Sequence, residues 1–151
     1  MHENLNEFSR NVSIQFFKSF PELKEFATAL EENDEGTFSV KVIPPFNVVE
    51  HPLSIDTFGE EVTVAFDAYH AHFNEFKEEC EYGGALTFIK NIVSEQYAVV
   101  SFWRNDQWCG SSLIESCNFP SNNENYPYAN LIKIRSWSGK LNKTIECIPR
   151  D

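Results

Sequence analysis

The sequence lacks any segment that resembles a targeting signal or a membrane-spanning helix. Its first seven residues include two glutamates and no apolar stretch of the kind found in secretory signals. No apolar run elsewhere approaches the ~20 residues that cross a bilayer. Neither secretion nor membrane insertion is therefore expected, and if the chain begins at Met1 the sequence predicts a soluble, cytoplasmic protein.

Motifs of common enzyme classes are also missing. The four cysteines are Cys80, Cys109, Cys117 and Cys147. They include no C-x-x-C pair, so we expect free thiols rather than structural zinc or disulfides. Gly83-Gly84 lacks the spacing of a phosphate-binding loop, and Gly110-Ser-Ser112 is not a nucleophile elbow because Ile114 stands where a glycine is needed. These motifs predict neither an enzyme nor a cofactor.

Methionine is nearly absent, since Met1 is the only one, whereas the chain has 14 phenylalanines. Hydrophobic residues make up 42% and aromatic residues 15% of the sequence. Such a composition favours a folded chain whose core is built largely from aromatic rings. The length of 151 residues, with no repeat and no evident boundary, predicts a single globular domain over residues 1–151.

Apolar residues at helical spacing predict three helices, over residues 4–17, 20–32 and 83–95. The second has a capping-box pattern at Ser19-Phe-Pro-Glu22 and ends in the acidic run before Gly36. Alternating patterns predict strands at 36–42 and 61–73 and hairpins over 97–115 and 131–147. Asn105-Asp106 suits a type I′ turn in the first hairpin, which would place Trp103 opposite Trp108.

Residues 46–58 read as a proline-punctuated connection with at most a short strand around Val48-Val49. The order of elements is two helices, two or three strands, a helix and two hairpins. This order predicts an α+β fold with a mainly antiparallel sheet and two or three helices packed on one face.

His70-Ala-His72 is the sharpest candidate for chemistry. In a strand, residues i and i+2 point to the same face, so both imidazoles could bind one metal ion, with Glu75, Glu78 or Glu79 as a third ligand. This would make the protein a small metal-dependent enzyme or a metal-binding protein. The alternative, which we favour, is that both side chains form hydrogen bonds with their neighbours and bind no metal.

Acidic charge is concentrated in the first two thirds of the chain. Residues 1–95 hold 18 Asp and Glu against 6 Lys and Arg, a net charge of −12, whereas residues 96–151 hold 5 against 6, a net charge of +1. Such a split creates a one-sided field that favours a basic partner. Lys133, Arg135 and Trp137 share a strand face that could engage nucleic acid, but the total charge of −11 opposes phosphate binding. We therefore expect no direct contact with nucleic acid.

A dense acidic cluster, interleaved with aromatic residues, lies along the predicted long strand and the segment after it. It is either a solvated face or a surface that steers and anchors a basic protein. On the second interpretation the partner-binding residues are Glu60, Glu61, Asp67, Tyr69, Phe73, Glu75, Phe76, Glu78, Glu79, Glu81 and Tyr82.

Three stretches carry a resemblance to a known class of proteins: FDAYHAHF (66–73), SFWRNDQWCGSS (101–112) and IRSWSGK (134–140). With the size and acidity of the chain, they resemble small bacterial immunity proteins paired with polymorphic toxins, including those of contact-dependent growth inhibition systems. The resemblance implies a cytoplasmic, non-enzymatic inhibitor that needs no cofactor and binds a cognate toxin domain, often a basic nuclease. It assigns no role to any single residue.

Overall fold

The computed structural model describes residues 5–29, 36–45, 49–74, 76 and 84–150. Two α-helices lie in this part of the chain, α1 (Glu7–Ser19) and α2 (Ala85–Val93), and a 3-10 helix spans Pro21–Phe26. None of these helices has the length and apolar character needed to cross a membrane. The strands are β1 (Ala27–Ala29), β2 (Ser39–Val42), β3 (Leu53–Phe58), β4 (Glu61–Phe66), β5 (Tyr69–Phe73), β6 (Tyr97–Arg104), β7 (Gln107–Glu115), β8 (Leu131–Arg135) and β9 (Lys143–Glu146).

The strands form two antiparallel sheets. The first sheet has the order β1-β2-β3-β4-β5, so each strand pairs with the next one along the chain. The second sheet has the order β7-β6-β8-β9. The predicted α+β class with a mainly antiparallel sheet is confirmed, although sheet dominates more than the sequence indicated.

Two apolar clusters hold the sheets in place. Alternation along β4 sends Val62, Val64 and Phe66 to one face, where each is fully buried together with residues of α1 and α2. The opposite face of the first sheet is therefore left polar. A second cluster, around Val100, Phe102 and Ile132, lies on one face of the second sheet.

The predicted helix over residues 20–32 is wrong. The chain forms a single 3-10 segment and then β1, whose residues Ala27 and Ala29 pair with Val42 and Val40. Pairing with an existing strand satisfies the backbone of this segment and overrides its helical periodicity. Residues 30–35 lie outside the described part of the chain.

The proline-punctuated connection contains a strand that the sequence reading missed. Leu53 and Ile55 are fully buried and alternate with polar residues in β3, which pairs on both sides. Val48 is not among the described residues, and Val49 lies in a bend rather than in a strand.

The predicted single strand over residues 61–73 is also wrong, because it folds back on itself as the β4–β5 hairpin. Phe66 pairs with Tyr69, and the turn between them consists of Asp67 and Ala68. Asp67 has a φ of +53°, a left-handed conformation that aspartate tolerates better than most residues. Because neither glycine nor asparagine occupies this position, no local sequence pattern indicates a turn here.

The C-terminal hairpins are confirmed. Trp103 pairs with Trp108 and Arg104 with Gln107, and Asn105 and Asp106 both have positive φ, as a type I′ turn requires. The helices α1 and α2 lie within two or three residues of their predicted ends. The described cysteines, Cys109, Cys117 and Cys147, are free thiols, as expected.

Candidate functional site

A cleft opens between the polar face of the first sheet and the tip of the β6–β7 hairpin, and we call it the intersheet cleft. Its volume is about 680 Å³, which is within the range of small-ligand sites. Its lining residues are Glu50, His51, Ser54, Thr63, Ala65, Asp67, Ala68, Tyr69, His70, Trp103, Trp108, Gly110, Ser111 and Tyr126. Both sheets and two loops therefore contribute to one concave surface.

Strand alternation explains the wall from the first sheet. Because Val62, Val64 and Phe66 point into the core, Thr63 and Ala65 point outward. Antiparallel pairing then places Ser54 and His70 on either side of Ala65, on the same face. This wall is made of small and polar side chains.

The opposite wall is aromatic. Trp103 and Trp108 face each other across the β6–β7 hairpin, and the side chain of Trp108 remains 55% exposed. Tyr126 stacks on Phe102 with ring centroids 3.8 Å apart. A Cβ atom at Gly110 would lie only 3.3 Å from the Tyr126 ring, and Gly110 has a φ of +148°, so glycine is needed at this position.

Two polar contacts link the two sheets beside the cleft, and a cation–π contact lies within the second sheet. The Ser111 hydroxyl donates a hydrogen bond of 2.6 Å to the backbone carbonyl of Ala68. The Lys133 ammonium lies 3.7 Å from a carboxylate oxygen of Glu50 and 4.3 Å from the centroid of the Trp103 ring. The Ser111 hydrogen bond ties the β6–β7 hairpin to the β4–β5 turn, and the Lys133–Glu50 ion pair ties β8 to the loop before β3.

Asp67 is the most unusual group in the cleft, because its side chain is only 2% exposed. Its Oδ1 accepts a hydrogen bond of 2.8 Å from the Glu50 amide, and its own amide donates one of 2.9 Å to the His51 carbonyl. Its buried Oδ2 has no hydrogen-bond partner among the described residues. Removal from water raises the pKa of the Asp67 carboxyl group, while hydrogen bonds from the Glu50 and Ala68 amides and the positive charge of Arg135 oppose the rise.

The histidine pair lies on the polar face at the edge of the cleft. His72 Nδ1 lies 2.9 Å from the Thr63 hydroxyl and 2.7 Å from a carboxylate oxygen of Glu61. The His70 ring meets the His72 ring edge to face, with centroids 5.2 Å apart. No group of three or more potential metal ligands occurs in the described ranges.

The third metal ligands suggested by the sequence, Glu75, Glu78 and Glu79, lie outside those ranges. The metal hypothesis for His70 and His72 therefore stays a prediction. The neighbour contacts of His72 are those that the alternative interpretation expects.

The structure separates the predicted partner-binding residues into four groups, one of which is the half-buried pair Tyr69 and Phe73. Glu60 and Glu61 are exposed at the turn between β3 and β4. Asp67 and Phe76 are buried, which corrects the expectation of an exposed surface at these two positions. Five further residues of the predicted set lie outside the described part of the chain, namely Glu75, Glu78, Glu79, Glu81 and Tyr82.

Two of the predicted aromatic anchors, Tyr69 and Phe73, are partly covered by α2. Tyr69 stacks on Phe88 of α2 at a centroid distance of 5.9 Å, and Phe73 meets the same ring edge-on at 5.6 Å. Both side chains are half-buried against the first core cluster. Tyr69 also lines the cleft, so part of it faces a potential ligand.

The sequence reading missed the aromatic wall of the cleft. Trp103 and Trp108 were assigned only to a hairpin, and Glu50, His51 and Tyr126 were assigned only to loops. The pairing of the two tryptophans was visible in the turn spacing, but their approach to the β4–β5 turn depends on contacts between distant segments.

Comparison with known proteins provides no relative: no family model, no curated protein and no solved structure matches this chain. The functional argument therefore rests on charge and geometry. Residues 1–95, with their net charge of −12, contain the strands of the first sheet and both α-helices, whereas residues 96–151, with a net charge of +1, contain the second sheet. The intersheet cleft lies where these two regions meet.

Proposed function

We propose that this protein is a non-enzymatic immunity protein that binds and neutralises a cognate basic toxin domain in the cytoplasm. The observation that carries the proposal is the segregation of charge along the chain. Residues 1–95, which include the strands of the first sheet, have a net charge of −12, whereas residues 96–151, which include the second sheet, have a net charge of +1. A basic protein approaching such a molecule is steered towards one side of it.

The polar face of the first sheet supports this proposal as a docking surface. It presents the exposed carboxylate of Glu61, which contacts His72, near one end and the intersheet cleft near the other. Exposed charges at the rim of an interface raise the association rate, while buried aromatic contacts near its centre contribute most of the affinity. A nuclease whose basic substrate groove met this face would be unable to bind nucleic acid.

The proposal is tested by co-expression with a toxin. The partner to use is the C-terminal domain of a large toxin encoded beside this gene. We expect the intact chain to restore growth of cells that express this domain, and we expect the two purified proteins to form a complex in gel filtration with light scattering. An acidic protein of similar size and charge serves as the control. Continued toxicity together with the absence of a complex would refute the proposal.

A further inference from the structure

The intersheet cleft combines aromatic rings with carboxylates and has no lysine or arginine among its lining residues. Its rings are those of Tyr69, Trp103, Trp108 and Tyr126, and its carboxylates are those of Glu50 and Asp67. Aromatic faces and carboxylates both attract cations, the first through the ring quadrupole and the second through charge. The chemistry of the lining therefore favours a cationic group over an anionic one.

The two carboxylates differ in whether a basic side chain of the protein already pairs with them. Glu50 has its own cation, since the Lys133 ammonium lies 3.7 Å away. Asp67 has no ion-pair partner within 4 Å among the described residues, and its Oδ2 accepts no hydrogen bond. The nearby Arg135 guanidinium donates instead to the carbonyls of Ile134 and Lys143.

A buried carboxylate oxygen without a partner is rare in folded proteins and calls for an explanation. Because Asp67 lines the cleft, a donor bound there beside Asp67 would supply the missing hydrogen bond. A positively charged donor would also offset the cost of burying the carboxylate.

The tryptophans indicate what shape of cation fits. Lys133 already stands 4.3 Å from the centroid of the Trp103 ring, so this wall accepts a cation. Trp108, opposite Trp103, is 55% exposed and could receive a second one. A guanidinium group stacks flat on an indole while donating hydrogen bonds from its edge, which an ammonium group cannot do.

We propose that the intersheet cleft binds an arginine side chain of the basic partner, with the guanidinium group stacked on Trp108 and paired with Asp67. This inference rests on the proposed function, because it assigns the anchoring contact between this protein and its toxin. Arginine is among the residues that most often contribute a large share of binding energy at protein interfaces. The remaining contacts would then surround this anchor on the polar face of the first sheet.

The test uses the full chain labelled with ¹⁵N and two probes of the same shape, arginine amide and citrulline amide, of which the second lacks the side-chain charge. We expect arginine amide to produce saturable shifts of the Trp108 indole and of the amides of Asp67 and Ala68. We expect its affinity to exceed that of citrulline amide by about tenfold, as a charge-assisted hydrogen bond implies. Equal affinities, or unsaturable shifts spread along α1 and the β3–β4 turn, would overturn the inference.

Two variants locate the site. Asp67→Asn keeps the shape of the side chain and removes its charge. We expect this variant to prefer arginine amide over citrulline amide by less than about twofold, because no carboxylate is left at position 67 to pair with the guanidinium group. Trp108→Ala replaces a side chain that is 55% exposed, so we expect this variant to fold. We expect it to bind arginine amide about tenfold more weakly. Glu146→Gln removes one exposed charge on β9, outside the cleft, and serves as the matched control. Unchanged binding by Trp108→Ala, or a loss in Glu146→Gln as large as in Asp67→Asn, would refute the proposed site.

Failure of this inference and failure of the proposed function give different results. A chain that neutralises the toxin domain but fails to bind arginine amide would keep the immunity role and overturn the arginine anchor. A chain that binds arginine amide in the cleft but leaves the toxin domain active would support arginine as the ligand of the cleft and refute the immunity role. Agreement of both assays, with Trp108→Ala weakening both, would support the two proposals together.

Discussion

Asp67 has three structural roles in this molecule. Its backbone adopts the left-handed conformation that reverses the chain between β4 and β5. Its Oδ1 and its amide hold the loop at Glu50 and His51, which supplies part of the cleft. Its other carboxylate oxygen is left without a partner. The same aspartate therefore forms the turn, positions a loop and creates the unsatisfied acceptor.

Asp67 should also make stability depend on pH. Because burial raises the pKa of Asp67 in the folded state, the folded chain holds this proton more tightly than the unfolded chain does. Its contribution to stability is thus fully present below the usual pKa of 3.8 and is lost as the pH rises through the raised value. We expect Asp67→Asn, which cannot ionise, to gain stability relative to the wild type across this window. Urea unfolding of both proteins from pH 3 to pH 8 measures this difference, and parallel profiles would contradict it.

His72 provides a second prediction at the scale of single residues. Its Nδ1 already contacts Thr63 and Glu61, which supports an interpretation without metal. We therefore expect protein purified without chelator to contain well under one equivalent of zinc or iron, and His72→Ala to leave the metal content unchanged. Elemental analysis of wild type, His72→Ala and the matched variant His51→Ala measures this. One equivalent of metal lost only in His72→Ala would favour the metal-binding alternative.

At the scale of elements, the two central hairpins reverse direction in different ways. The β6–β7 hairpin uses Asn105 and Asp106, both in left-handed conformation, and its two-residue turn sets the pairing of Trp103 with Trp108. The β4–β5 hairpin uses Asp67 and Ala68, of which only Asp67 is left-handed. Asn105-Asp106 is a sequence typical of a two-residue turn, whereas Asp67-Ala68 is not. Only the turn between β6 and β7 could therefore be predicted.

The β6–β7 turn can be tested through its second residue. Asp106 has a φ of +69°, a conformation that a β-branched side chain adopts poorly. We expect Asp106→Val to lower the free energy of unfolding by about 1–2 kcal/mol, whereas Asp106→Gly should match or exceed the wild type. Thermal and urea unfolding measure both variants. Equal stability of Asp106→Val and Asp106→Gly would show that the turn does not constrain the hairpin.

At the scale of the whole molecule, the division of charge along the chain matches its division into two sheets. The acidic two thirds of the chain contain the strands of the first sheet, and the nearly neutral remainder contains the second. The sheets meet at the contact between Ser111 and Ala68 and at the ion pair between Lys133 and Glu50. The intersheet cleft lies at this boundary.

Charge reversal tests this steering. We expect Glu75→Lys, Glu78→Lys and Glu79→Lys together to slow association with the toxin domain by about tenfold or more at low salt, and the loss should shrink as salt screens the charges. Stopped-flow association at two salt concentrations measures the effect, and unfolding curves check that the fold is retained.

The matched control carries the same change of charge on the other part of the molecule. It reverses three exposed residues that belong to the second sheet and its loops, namely Glu115, Glu124 and Glu146. This variant should associate at nearly the wild-type rate. If both triple variants associate equally fast, the distribution of charge does not guide the partner, and the acidic cluster is a solvated face.

Several local elements follow from the amino-acid sequence alone. Helical spacing of apolar residues fixed α1 and α2, and the alternating pattern around Asn105-Asp106 fixed the register of the β6–β7 hairpin. These features depend on interactions between residues close in the chain, for which periodicity and turn chemistry are sufficient. The charge asymmetry was likewise readable from the sequence because it is a matter of composition.

Other segments became strands, and the cleft formed, only through packing between parts of the chain that are distant in sequence. Ala27 and Ala29 entered a strand because β2 offered partners for their backbone, against their helical periodicity. The cleft exists because Ser111 reaches the carbonyl of Ala68, 43 positions earlier in the chain. Likewise, only packing determined that the Asp67 carboxylate would be buried with one oxygen unpaired. Contacts between residues so far apart follow from the packing of complete sheets, which no local pattern encodes.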